Sequence, residues 1–200
     1  MKNASWGLIV CLCLLSARCA LSQQIDFAFG LGTVTATSAA NAGANFSPQS
    51  VGGGTFPAFS GDVLLHKNFG VSAEIAWRVG QNSYTFLANQ PFRPLFYDFN
   101  GIWVPKLAPK VSAELMAGIG AESVRFYSGY LNCGYTGCTD YTSDNHFMGH
   151  FGGGVRLYVF GHLFVRPEAH FYLIHNNTEF SGPWAARYGA SIGYTMGGGD

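Results

Sequence analysis

The stretch VSAELMAGIGAE, residues 111–122, decides the fold. Ala113, Leu115, Ala117, Ile119 and Ala121 alternate with Glu114, Met116, Gly118, Gly120 and Glu122. At two residues per repeat this puts aliphatic groups on one side and carboxylates with glycines on the other, the mark of a strand with unlike faces. Seven more segments show the same period. Ile25, Phe27, Phe29 and Leu31 oppose Asp26, Ala28, Gly30 and Gly32; Phe59, Gly61, Val63 and Leu65 oppose Ser60, Asp62, Leu64 and His66. Val71, Ala73, Ile75 and Trp77 oppose Ser72, Glu74, Ala76 and Arg78, and Tyr97, Phe99 and Trp103 oppose Asp98 and Asn100. In the second half Phe147, Phe151 and Val155 oppose His150, Gly152, Gly154 and Arg156. Val165, Ala169, Phe171 and Leu173 then oppose Arg166, Glu168 and His170, and Tyr188, Ala190, Ile192 and Tyr194 oppose Arg187, Gly189, Ser191 and Gly193.

Eight strands are therefore expected, and their connections alternate in length. Tight turns follow the second, fourth and sixth strands, whereas stretches of roughly ten to twenty residues follow the others, as in antiparallel barrels that cross an outer membrane. Residues 38–58, rich in Ala, Asn, Gly and Ser, and residues 127–145 read as long loops without a core of their own. The sheet has to close on itself, because an open edge would leave unpaired backbone groups in lipid.

Ahead of the strands, Lys2, the apolar run from Trp6 to Leu15 and the small-x-small site Ala20-Leu21-Ser22 form a cleavable export signal, residues 1–22. Residues 23–200 form the barrel domain. A membrane anchor would need about 20 apolar residues, and Arg18 ends the run. Arg18 also disfavours a lipid attached at Cys19. Cys133 and Cys138 are the cysteines left after export, and their spacing around Gly134 and Gly137 suits a disulfide at a loop tip in an oxidising compartment. A metal site would need further ligands and a redox motif a tighter spacing.

Composition narrows the class. Charged residues make up 11% of the chain, against roughly a quarter in ordinary soluble domains. Lys+Arg and Asp+Glu each number 11, so no global field attracts nucleic acid. No motif requires a cofactor or a metal: the glycine runs at 52–54 and 152–154 lack the Gly-Lys-Ser/Thr of a phosphate cradle. The Asn45 and Asn176 sequons are idle in a bacterial envelope.

Alternation alone leaves the direction of the faces open, since soluble ligand-carrying barrels alternate too. The charged strand residues settle it: Asp26, Asp62, Glu74, Arg78, Asp98, Glu114, Glu122, Arg156, Arg166, Glu168 and Arg187 all share the face opposite the aromatics. Lys67, Lys106 and Lys110 sit at or beside the short turns instead. The charged face also carries Gly30, Gly32, Gly118, Gly120, Gly152, Gly154, Gly189 and Gly193, which leave room beside long side chains in a narrow lumen. Aromatics crowd the strand ends, as interfacial girdles require. Lipid is therefore expected outside and charge inside. An unmatched buried charge costs several kcal/mol, so Arg156, Arg166 and Arg187 are expected to bridge Glu114, Glu122, Glu168 and Asp26 and to plug the lumen.

The segments GVSAEIAW (70–77), FGGGVRLYVF (151–160) and LFVRPEAHFY (163–172) resemble the small outer-membrane β-barrel domain family, akin to the transmembrane domain of outer-membrane protein A. The likeness spans residues 24–196 and implies a monomer in the outer membrane of a Gram-negative bacterium. Its implied partners are outer-membrane lipids, lipopolysaccharide and the insertion machinery. Members commonly end in an aromatic residue read by that machinery; here the sequence continues from Tyr194 through Met196 to Gly-Gly-Gly-Asp, so either Tyr194 serves as an internal signal or the tail is atypical. Some similar barrels modify lipid A with a histidine, a serine and an acid. His146, His150 and His170 near Glu122 or Glu168 are the candidates here, but no serine stands beside them with such spacing. The reading is thus all-β: an eight-stranded antiparallel up-and-down transmembrane β-barrel, non-enzymatic, anchoring surface loops. A lipid A-modifying enzyme, a narrow channel and a soluble carrier are the alternatives.

Overall fold

Strands with one apolar and one polar face bury the polar face only if the sheet curls until its edges meet. A computed structural model describes residues 24–36, 50–84, 90–134, 137–177, 179–180 and 182–197. The export signal, most of the first loop with Asn45, and the final residues 198–200 lie outside the described residues. The strands are β1 (Gln24–Ala36), β2 (Thr55–His66), β3 (Phe69–Trp77), β4 (Asn82–Tyr84), β5 (Gln90–Trp103), β6 (Lys106–Ala108), β7 (Val111–Gly134), β8 (Gly137–Phe160), β9 (Leu163–Ile174) and β10 (Trp184–Met196).

Eight of these form the wall. Each pairs with the next in the order β1, β2, β3, β5, β7, β8, β9 and β10, and β10 pairs back with β1 from Ile25↔Met196 to Ala36↔Ala185. Every pairing is antiparallel, so the ring leaves no long open edge. The short strands β4 and β6 are flanges on β5 and β7 at opposite ends. Among the described residues no helix is long and apolar enough to cross a membrane.

The two faces part as their chemistry demands. Phe29, Phe99, Ile119 and Phe151 are each more than half exposed on the outer surface. Asp26, Glu114, Arg156, Arg187 and their neighbours are fully enclosed. Glycine clears the interior where it is needed: a Cβ on Gly193 would come within 2.2 Å of the Phe164 ring, and one on Gly154 within 2.9 Å of the Arg166 side chain.

One expectation is corrected. Residues 127–134 and 137–145 do not form an irregular loop; β7 and β8 continue as one hairpin through Tyr127↔Tyr141 to Gly134↔Gly137. Cys133 and Cys138 lie opposite one another near its tip and are joined by a disulfide. This stretch reads as a loop because both of its faces meet water beyond the bilayer, which removes the apolar alternation while leaving the backbone ladder intact.

Candidate functional site

The site is the lumen itself, filled in three tiers. At the short-turn mouth an open recess of about 430 Å³, bordered by Lys67, Lys106 and Tyr158, reaches inward to Leu64 and Val104. These two pack with Ile102 and Met116 as a first apolar layer.

Above it lies a belt of charge assembled from all eight wall strands. Asp26 and Asp62 face one another across β1 and β2, as do Glu74 and Asp98 across β3 and β5. Like charges so placed repel, and arginines from β8, β9 and β10 offset this. Arg156 donates through Nε to Glu114 and through Nη1 to Asp26, and its Nη2 reaches Asp62 Oδ2 at 2.8 Å. Arg166 donates to Glu114 Oε1 at 2.6 Å, Glu168 Oε2 at 2.8 Å and Ser60 Oγ at 3.1 Å. Arg187 pairs with Glu74 and donates to the Tyr172 hydroxyl at 3.2 Å, with its Nη1 3.3 Å from Glu168 Oε1.

The remaining acceptors draw on neutral donors. Ser72 Oγ donates to Asp62 at 2.5 Å, Asn100 Nδ2 to Asp98 at 2.5 Å and Ser191 Oγ to Glu168 at 2.9 Å. His150 bridges Asn100 Oδ1 (2.7 Å) and His170 Nδ1 (3.0 Å), and the two rings stack. Glu74, Glu168 and His170 could between them offer three ligand atoms to a metal. The Arg187 guanidinium already pairs with both carboxylates.

The third tier is aromatic. Tyr172 links it to the belt, its hydroxyl on Arg187 and its ring stacked 4.8 Å from Phe96. Phe92 packs on Phe180 from the β9–β10 connection at 5.1 Å, and Tyr84 of β4 packs on Phe126 at 5.3 Å. Phe56, Val124 and Met148 complete this plug. The Tyr84 hydroxyl donates to the Glu179 carbonyl at 2.6 Å, and burial beside Glu179 pushes the phenol above its ordinary pKa.

Two residues of the expected charge set stand apart. Arg78 follows the last residue of β3 and is only half-buried at the long-loop rim, where its Nη1 lies 3.5 Å from the Gly52 carbonyl; it is not in the belt. Glu122 is fully buried, but among the described residues no arginine reaches it and both of its carboxylate oxygens lack a hydrogen bond. It lies opposite His146 in the β7–β8 register. His146 Nε2 is 2.8 Å from Glu179 Oε2, outside hydrogen-bond geometry, and the Asn177 amide also lacks partners. The aromatic plug was not read from the sequence. The only signal for it is neighbouring aromatics on opposite parities, as at Phe96-Tyr97, Phe126-Tyr127 and Phe171-Tyr172, which place one ring inward and one outward.

No protein-family model and no curated protein matches the sequence. Solved structures do match its shape. Neisserial surface protein A superposes with a TM-score of 0.57 at 9% identity, covering 86% of this chain and 96% of that one. The attachment invasion locus protein Ail of Yersinia pestis gives 0.54 at 11% identity over 87% and 97%. A major outer membrane protein from Thermus thermophilus gives 0.53 at 9% identity over 86% and 99%. Closed ring, inward charge, outward apolar band and these three likenesses together define the fold of this chain as that of the small eight-stranded outer-membrane β-barrels.

Proposed function

We propose that the chain is a non-enzymatic integral protein of a Gram-negative outer membrane. Its barrel is a solid anchor for the strands and loops it carries outward, which stabilise the envelope or contact external ligands and surfaces. The observation that carries this reading is the lumen, occupied in turn by an apolar layer, a belt of ion pairs and an aromatic plug. Eight strands leave an interior just wide enough for side chains, so a barrel filled in this way holds a position and conducts nothing. Among the described residues the β7–β8 hairpin is the largest outward element. From Arg125 to Gly134 it adds ~30 Å of strand at ~3.4 Å per residue, with Tyr130 87% and Leu131 72% exposed beside the disulfide.

The absence of catalysis is supported by the histidines. Their rings meet carboxylates, an asparagine and one another, and among the described residues no serine, threonine or cysteine hydrogen-bonds to one of them. A nucleophile needs such a base within reach.

Expression with the export signal, followed by membrane fractionation and gel migration with and without boiling, tests the reading. The protein should enter the outer-membrane fraction and migrate faster unboiled; recovery in the soluble periplasm would favour a carrier. Planar bilayers should show no stable openings, and lipid A spectra should be unchanged by expression. Unitary conductance or an altered acyl pattern would instead support a channel or an enzyme.

A further inference from the structure

Three arginines are enclosed by carboxylates, but two others face outward with no counter-charge among the described residues. Arg93 of β5 and Arg125 of β7 are directly paired across the strands. They share the outward parity of Leu95, Tyr97, Ile119 and Ala121, and both are half-buried. Like charges in this arrangement destabilise a sheet, and neither guanidinium is within ion-pair distance of a carboxylate among the described residues. Each is nevertheless held in place: Arg93 Nε donates to the Arg78 carbonyl at 2.8 Å, and the Arg125 guanidinium lies 4.9 Å over the Tyr141 ring. Between them is a crevice of about 240 Å³ whose remaining lining is Ile75, Trp77, Pro94 and Leu95.

The height of this crevice is informative. Trp103 and Phe69 stack at the short-turn end of the outer surface. From Trp103 ten residues of β5 lead to Arg93, which at ~3.4 Å per residue and a ~40° tilt is ~25 Å, the height of the apolar band of such barrels. The arginine pair therefore sits where acyl chains give way to headgroups on the long-loop side, beside a tryptophan, a residue favoured at that level. Two guanidinium forks at one point suit a phosphate, which accepts paired N–H bonds from each. The apolar wall of Ile75 and Leu95 below them suits an acyl chain.

We propose that this crevice binds the phosphate of an outer-leaflet phosphorylated glycolipid of the lipid A type, with Arg93 and Arg125 as its two ligands. This rests on the outer-membrane reading above, and it makes the exterior of the barrel a headgroup site rather than a uniform apolar wall. Removing one of two charge-assisted contacts should weaken retention about tenfold.

The mature barrel, folded in phosphatidylcholine nanodiscs doped with lipid A, provides the test, with lipid retained through purification counted by mass spectrometry. Lipid A should be retained near one per barrel, dephosphorylated lipid A should not, and millimolar inorganic phosphate should not displace it. R93Q and R125Q should each lower retention about tenfold, while K106Q and K110Q at the opposite mouth should leave it unchanged; unboiled gel migration shows that every variant is folded. Equal retention of the dephosphorylated lipid, or by both arginine variants, would overturn the site. Displacement by inorganic phosphate would show a simple anion site and would also overturn it. A barrel that fails to insert would overturn the outer-membrane reading itself, whereas an inserted barrel without selectivity would overturn only the site.

Discussion

The belt around Arg156 and the group around Glu122 are both polar, both buried and inside the same barrel, yet they are built differently. In the belt six carboxyl side chains surround three guanidiniums, and serine, asparagine and tyrosine donors complete the set. Around Glu122 two carboxyls and a histidine meet with no guanidinium among them, and several of their polar atoms lack partners. The difference follows from where the arginines of each level point. At the belt they are Arg156, Arg166 and Arg187, all inward; at the outer level they are Arg78 at the rim and Arg93 and Arg125 on the outer face. Charge pairing thus stabilises the middle of the cylinder, while aromatic packing closes the outer end around an unmatched carboxyl.

The largest effect should come from breaking the belt at its centre. Arg156→Met strips the guanidinium from Asp26, Asp62 and Glu114 at once. Leaving buried charges uncompensated costs about 3–5 kcal/mol, read as a lower urea midpoint for unfolding from lipid vesicles. Filling the space the belt depends on should be the next most harmful change. In Gly193→Ala the new methyl meets the Phe164 ring, on whose face Arg156 lies 5.1 Å from the centroid. Overpacking of this kind costs about 1–3 kcal/mol, and the same unfolding assay measures it.

The outer group should respond with the opposite sign. Glu122→Leu removes two unpartnered oxygens beside the aromatic plug, and relief of such a desolvated group is worth about 1–3 kcal/mol. A raised midpoint supports the contrast between the two regions, and a lowered one would show that Glu122 is paired in the membrane. The smallest effect belongs to the hairpin tip. Replacing Cys133 and Cys138 together by serine should leave the barrel's midpoint within about 0.5 kcal/mol. Hydrogen exchange should rise only between 127 and 141, because the tip opens without the ring.

The wall of the barrel was legible because lipid and a crowded lumen impose opposite chemistry on alternate residues, as in residues 111–122. The inward side of the charged residues was legible for the same reason, since parity reports the face. Parity does not report height. It therefore grouped Arg78 and Glu122 with the belt although one sits at the rim and the other above the arginines. The plug escaped notice because apolar side chains cover both faces of the wall at its level, as at Phe96-Tyr97, so the alternation fades. The hairpin beyond Tyr127 escaped for the converse reason, with water on both faces.

The lipid-facing side of β7 fixes the orientation of the whole barrel. Spin labels placed singly from 113 to 121 in bilayers, with collision rates measured against oxygen and against a water-soluble nickel chelate, test this directly. Oxygen contact should show a period of two, highest at 113, 115, 117, 119 and 121. The opposite phase, or no period at all, would contradict it.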